Sequence, residues 1–145
     1  MAKKFASETK YRLRSLPTHH YQFLYSIDPH LKSRLPPKYP CQLETLYHRL
    51  RLNCAYTNGL RYRFGERNSP HCDNCGSIET VEHILLECTA YADEHANYEH
   101  SMEKLSPVPL TMNSVLGPLA CPRQQRLLIN FLFTYLKDIG LLDKL

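Results

Sequence analysis

Four residues of the chain can do metal chemistry together: Cys72, Cys75, His83 and Cys88, spaced C-x2-C-x7-H-x4-C. Three thiolates and one imidazole within seventeen residues match the soft, tetrahedral preference of Zn²⁺ and need no ligand from elsewhere in the chain. The two-residue gap lets Cys72 and Cys75 turn back on each other, and Gly76 just beyond supplies the backbone freedom of a knuckle. Four good ligands leave no open coordination position, so the pattern points to one structural Zn²⁺ rather than a catalytic one. Two other uses of the cysteines fit the sequence less well. A redox Cys-x-x-Cys calls for a strand before it, whereas Arg67-Asn68-Ser69-Pro70 is turn chemistry. Paired structural disulfides go with secretion, and Met1-Ala2-Lys3-Lys4-Phe5 is not followed by the apolar core of a signal peptide. The remaining Cys41, Cys54 and Cys121 are expected to be buried or idle thiols.

The elements that must position these ligands read as helices. Thr80 is placed to cap a helix beginning near Val81, which holds His83 in its first turn. Cys88 lies five residues after His83, off the one-face spacing of four, so the helix is expected to bend or tighten there. Upstream, Leu43, Leu46, Tyr47, Leu50 and Cys54 form a helical stripe, with His48 off it at the surface. Thr57 caps a short piece from Asn58 to Phe64, which Gly65 stops. Downstream, Tyr91 to Leu105 reads as an acidic helix with Tyr91, Tyr98, Met102 and Leu105 inside, and Thr111 caps a turn through Val115 and Leu116. The last helix starts at Pro122, and Gly140 ends it. Its apolar face, from Leu127, Leu128, Phe131, Leu132, Tyr135, Leu136 and Ile139, either packs on the Leu43 to Cys54 helix or docks on another protein. The fold class is therefore mainly α, a small helical domain organised around a Cys3His zinc knuckle. Residues 1–40 read as a basic, aromatic arm or linker, 41–104 as the zinc-binding helical module and 105–145 as a C-terminal helical segment that packs on or extends it.

Charge is unevenly distributed along 145 residues whose overall balance is +4. Residues 1–41 carry eight Lys and Arg against two acids, and residues 42–71 five against two. Residues 72–104 reverse this, with one Lys against eight acids. Polyanion contact is thus expected from the residues before the ligands, because a centre of three thiolates and one imidazole is itself an anion of about −1 once Zn²⁺ is bound. Arg49, Arg51, Arg61, Arg63 and Arg67 lie just upstream of Cys72 and are the candidate nucleic-acid contacts. The opposing reading makes them solvated faces or partners of Glu79, Glu82 and Glu87. In the arm, Lys3, Lys4, Lys10, Arg12 and Arg14 alternate with Phe5, Tyr11 and Leu13, a mixture that grips phosphates and stacks on bases but equally describes a solvated tail. No stretch approaches the ~20 apolar residues of a membrane span, and the expected setting is intracellular, nuclear or cytoplasmic.

Taken in order, Glu44 to Leu52, Ala55-Tyr56-Thr57-Asn58, Ser69-Pro70, Cys72-x-x-Cys75-Gly76, Glu79-Thr80-x-x-His83-x-Leu85-x-x-Cys88 and Tyr91 resemble the zinc-binding-like segment at the C-terminal end of non-LTR retrotransposon polyproteins. Leu116-Gly117-Pro118, Phe131-Leu132 and Ile139-Gly140-Leu141 also resemble the tail of such polyproteins in tick transposon sequences, so the likeness covers roughly residues 28 to 145. The resemblance implies that Cys72, Cys75, His83 and Cys88 hold the metal. It also implies a place after a reverse transcriptase and usually a ribonuclease H domain, and a role in holding template RNA or target DNA during target-primed reverse transcription. On that basis the chain is a fragment or domesticated remnant of a polyprotein. No paired-aspartate polymerase motif and no carboxylate set for two metal ions is present, so no catalytic activity and no small-molecule substrate are expected. Two functional classes stay open: a nucleic-acid-binding accessory module, whose partners are RNA or DNA and the reverse transcriptase part of a parent polyprotein, and a zinc-stabilised protein-interaction module. A redox or hydrolytic enzyme is the third and least supported.

Overall fold

The computed structural model describes residues 19–32, 38–106 and 109–145. The basic residues Lys3 to Arg14 of the arm lie outside the described residues, as do Pro36, Pro37, Pro107 and Val108. The architecture is mainly helical: α1 His19–Ile27, α2 Cys41–Arg51, α3 Asn58–Arg63, α4 Ala92–Met102, α5 Met112–Leu116 and α6 Pro122–Asp138. Between α3 and α4 lie the knuckle, a π-helical turn His83–Glu87 and a 3-10 turn Thr89–Tyr91. Extended pairing among the described residues is confined to one antiparallel bridge, His71 with Ile78, which closes the knuckle.

One hydrophobic core runs from Ile27 through Leu46, Tyr47 and Leu50 of α2 to Leu128, Leu132 and Leu136 of α6, and includes Ile84 and Leu85 of the π-turn. Each fully buried Leu of α6 contributes about 1.5–3 kcal/mol by leaving water. The main partner of α6 is α4 rather than α2. Tyr135 stacks on Tyr98 with ring centroids 4.9 Å apart, whereas α2 reaches α6 through Gln125, which donates to the Tyr47 hydroxyl at 3.4 Å. The inner face of α6 is also rotated from the sequence expectation, since Leu127 is 45% exposed while Ile129 and Phe133 are buried.

The caps follow the sequence. Thr57 accepts from the Leu60 amide at 3.2 Å, Thr111 and Ser114 form a reciprocal capping box, and Thr80 accepts from the His83 amide at 3.0 Å. Helix α1 was not expected within the arm. Its end is anchored in the core by buried Ile27 and by Asp28, whose carboxylate sits 2.6 Å from the Arg51 guanidinium with both side chains under one-tenth exposed.

Candidate metal centre and the basic face beside it

The knuckle is built by backbone hydrogen bonds around the first two ligands. The Gly76 amide donates to the Cys72 carbonyl at 3.0 Å and the Cys72 amide donates to the Ser77 carbonyl at 2.7 Å. Gly76 makes the return possible at φ +79°, a conformation that disfavours any side chain. The other two ligands come from the π-turn. There the Cys88 amide donates to the His83 carbonyl at 2.8 Å, five residues back instead of four. The helix therefore widens before Cys88, rather than bending or tightening, and the tighter 3-10 turn follows it. This is the physical reason for the five-residue offset: an i→i+5 ladder brings His83 and Cys88 to one side.

The ligand atoms of Cys72, Cys75, His83 and Cys88 all lie within 4.8 Å of one another. Zn–S bonds of ~2.3 Å and Zn–N bonds of ~2.0–2.1 Å give a tetrahedron with S···S edges of about 3.8 Å and S···N edges of about 3.6 Å. Here Cys72 Sγ and Cys88 Sγ are 3.9 Å apart, and Cys75 Sγ and His83 Nε2 are 3.2 Å apart. The donor set therefore fits a tetrahedral ion. All six cysteines are free thiols, and 3.9 Å is nearly twice a disulfide bond of ~2.05 Å. Nε2 of His83 faces the thiols while Nδ1 lies 4.0 Å from the Glu87 carboxylate, the side from which a carboxylate orients a ligating imidazole. The Ser77 amide beside Cys75 holds its thiol below the ordinary value, whereas burial pushes the Cys88 thiol up to about 12 against the opposing Ala90 amide. A buried thiol that resists ionisation becomes a good thiolate only against a cation.

Widening the helix frees carbonyls, and two side chains from the helical core take them up. The Tyr135 hydroxyl of α6 donates to the Ile84 carbonyl at 2.7 Å, and His95 Nε2 of α4 meets the Leu85 carbonyl at 3.0 Å. Both groups would otherwise be buried without partners, at about 1–3 kcal/mol each. On the opposite side the centre is joined to α3. The buried Glu79 carboxylate accepts from the Asn58 amide at 2.7 Å and from its side-chain amide at 3.1 Å, and the Glu79 carbonyl accepts from the Gly59 amide at 3.1 Å. A Cβ at Gly59 would stand 2.6 Å from that carbonyl oxygen, so glycine is required for this approach.

The five candidate arginines do not form one patch. Arg51 is withdrawn into the interior, where it holds Asp28 and donates to the Leu116 carbonyl at 3.2 Å. A charge 51 residues into the chain thus serves the α1–α2 junction, because burial without that carboxylate would be prohibitive. Arg67 grips Asp73 at 2.7 and 3.2 Å and Asn58 at 2.8 Å. Its partner is therefore Asp73, not Glu79, Glu82 or Glu87. Arg49 lies over the Tyr56 ring at 5.2 Å and reaches the Leu145 carbonyl at 3.4 Å. Arg61 and Arg63 of α3 remain at the surface, Arg61 in a loose 3.7 Å contact with Glu66. Sequence reading missed the supports Asn58, His95 and Tyr135, and also a groove of about 510 Å³ that opens between α3, the knuckle and the C-terminal turn. Its walls include Tyr56, Arg61, Tyr91 and Lys144. None of these has a short-range signal, because each meets its partners only through the fold. Cys41 and Cys121 are exposed and Cys54 is half-buried, all three outside the ligand group. Among the described residues no helix is long and apolar enough to cross a membrane. Comparison of the chain with family models, curated proteins and solved structures gives no match.

Proposed function

We propose that this chain is a nucleic-acid-binding accessory module braced by one structural Zn²⁺, with no catalytic activity of its own. It is of the kind that the resemblance to the C-terminal region of non-LTR retrotransposon polyproteins implies. The observation that carries the proposal is the coupling of α3 to the metal centre. Arg61 and Arg63 project from a six-residue helix too short to hold itself, and Glu79, Asn58 and Arg67 fasten that helix to the knuckle. Metal binding then fixes a basic face for phosphate contacts. The acidic residues on the metal side keep the polyanion on the α3 side. Three thiolates and an imidazole select Zn²⁺ over harder ions, and four protein ligands complete its shell. RNA or DNA is the partner, alongside the reverse transcriptase part of a parent polyprotein.

Replacing Arg61 and Arg63 together by Ala is expected to weaken binding on all sequences alike and to reduce the slope of log K against log[salt] by about one per lost phosphate contact. Zinc content should not change. Glu82→Gln should leave binding unchanged or tighten it. A second reading, a protein-interaction module, draws on the exposed apolar residues Tyr62, Phe64 and Ile78, which are 48%, 65% and 57% exposed. A salt-independent affinity for nucleic acid, or none, would decide for it.

A further inference from the structure

The groove between α3, the knuckle and the C-terminal turn is lined by aromatic rings, which an unpaired base can use and a paired one cannot. Its cations Arg61, Arg67 and Lys144 stand alongside the acids Asp73 and Glu79, of which Asp73 is taken by Arg67 and Glu79 by Asn58. Tyr56 remains 41% exposed in a wall of the groove, although its amide is tied to the Leu145 carbonyl at 3.0 Å and Arg49 lies over its ring at 5.2 Å. The residue is thus tied down at its backbone and covered by Arg49, yet its ring is still open to solvent. Tyr91 stands in the same groove, oriented by the Asn74 amide, which donates to its hydroxyl at 2.7 Å. Arg61 and Lys144 flank them from α3 and from the C-terminal turn. Arg67, although it also lines the groove, is held by Asp73 and Asn58. The volume, about 510 Å³, falls within the ~300–1,000 Å³ of sites that enclose small ligands. A paired base cannot enter such a recess, because its flat face is stacked within the helix and its edge is committed to its partner. An unpaired base can leave its strand and lie on a fixed aromatic ring while its phosphates stay outside with the cations.

We infer that this groove seats one base of a single-stranded nucleic acid, with Tyr56 as the stacking platform and Arg61 and Lys144 holding the flanking phosphates. The inference rests on the nucleic-acid reading above and narrows it to unpaired strands. Stacking accepts any base, so recognition is of strandedness rather than sequence.

The test measures anisotropy of short labelled oligo-uridine and oligo-thymidine strands and of a duplex of equal length, at fixed low salt, with the zinc-loaded full chain. Single strands should bind more tightly than the duplex, and either order of the uridine and thymidine strands supports the inference. Tyr56→Ala should lower single-strand affinity by roughly 5- to 150-fold, the range for one stacked base, and leave duplex affinity unchanged, whereas Tyr56→Phe should retain binding. Lys144→Ala, at an exposed side chain, should weaken single-strand binding and reduce its salt slope by about one. Zinc content near one equivalent in every variant shows that the fold is intact. Equal affinity for strand and duplex, or a silent Tyr56→Ala where the Arg61, Arg63 double variant still weakens binding, would overturn the groove and leave the accessory-module reading standing. No binding of any strand overturns both.

Discussion

The metal half of the molecule and the helical half hold their shape by opposite means. The knuckle between His71 and Thr80 has little apolar material of its own: it buries only Cys72 and Glu79, and its geometry is carried by backbone turns around the candidate ligands and by the Glu79–Asn58 bonds. Helices α2, α5 and α6 have no metal and bury Leu46, Leu50, Val115, Leu128, Leu132 and Leu136 almost completely. With the proposed structural Zn²⁺ the first half is conditional on an ion, while the second follows mainly from burial. The contrast is not a separation, because Ile84 and Leu85 of the π-turn belong to the common core and their carbonyls are met by Tyr135 and His95.

The largest effect should come from the ligands. Cys75→Ser is expected to lower the zinc content from one equivalent to near zero and to remove folding free energy on the scale of a structural zinc site, ~10 kcal/mol in apparent terms at neutral pH. Hydrogen exchange should then show residues 71–91 unprotected and α6 still partly protected. Equal loss of protection in α6 would mean that the two halves fold as one unit, and the contrast would fail. Leu132→Ala attacks the other half: at a fully buried site it should cost about 2–5 kcal/mol in denaturant unfolding, yet leave zinc bound in the fraction that remains folded. Tyr135→Phe addresses the seam. It deprives the Ile84 carbonyl of its donor and should cost about 1–3 kcal/mol, with faster hydrogen exchange at Cys88 than in the body of α6. Smallest of all, Cys121→Ala should change neither zinc content nor stability measurably, since that thiol is exposed and outside the ligand group. A loss of metal there would show that the ligand set is misassigned.

Sequence reading reached furthest where structure is local. The spacing of Cys72, Cys75, His83 and Cys88, the positive φ of Gly76, and the caps at Thr57, Thr80 and Thr111 are each decided within a few residues. The stripe of Leu46, Tyr47 and Leu50 is legible for the same reason. It failed where partners are distant. The ion pair of Asp28 with Arg51 spans 23 residues, so nothing in the neighbourhood of Arg51 distinguishes it from exposed Arg63. The π-turn was half-legible: the offset between His83 and Cys88 signalled an irregularity, but its direction depends on Tyr135 and His95, which stand ready to take the carbonyls that a wider turn releases. Leu127 and Phe133 exchanged places relative to the periodic expectation because α6 faces α4 and Tyr39, whose ring meets Phe133 edge-on at 5.8 Å.

The widened turn also governs which insertions and deletions the chain can tolerate. Connections outside the ligand frame absorb changes of length at a cost that grows only slowly with the number of residues. The stretch from His83 to Cys88 cannot do so. Dropping one residue there would restore ordinary helical pitch, swing whatever follows by about 100° around the axis, and turn the fourth thiol away from the other three. Adding one would overshoot in the other sense. Four intervening residues are therefore a gauge length cut into the chain, and descendants of this sequence should vary in the loops outside the ligand frame before they vary there.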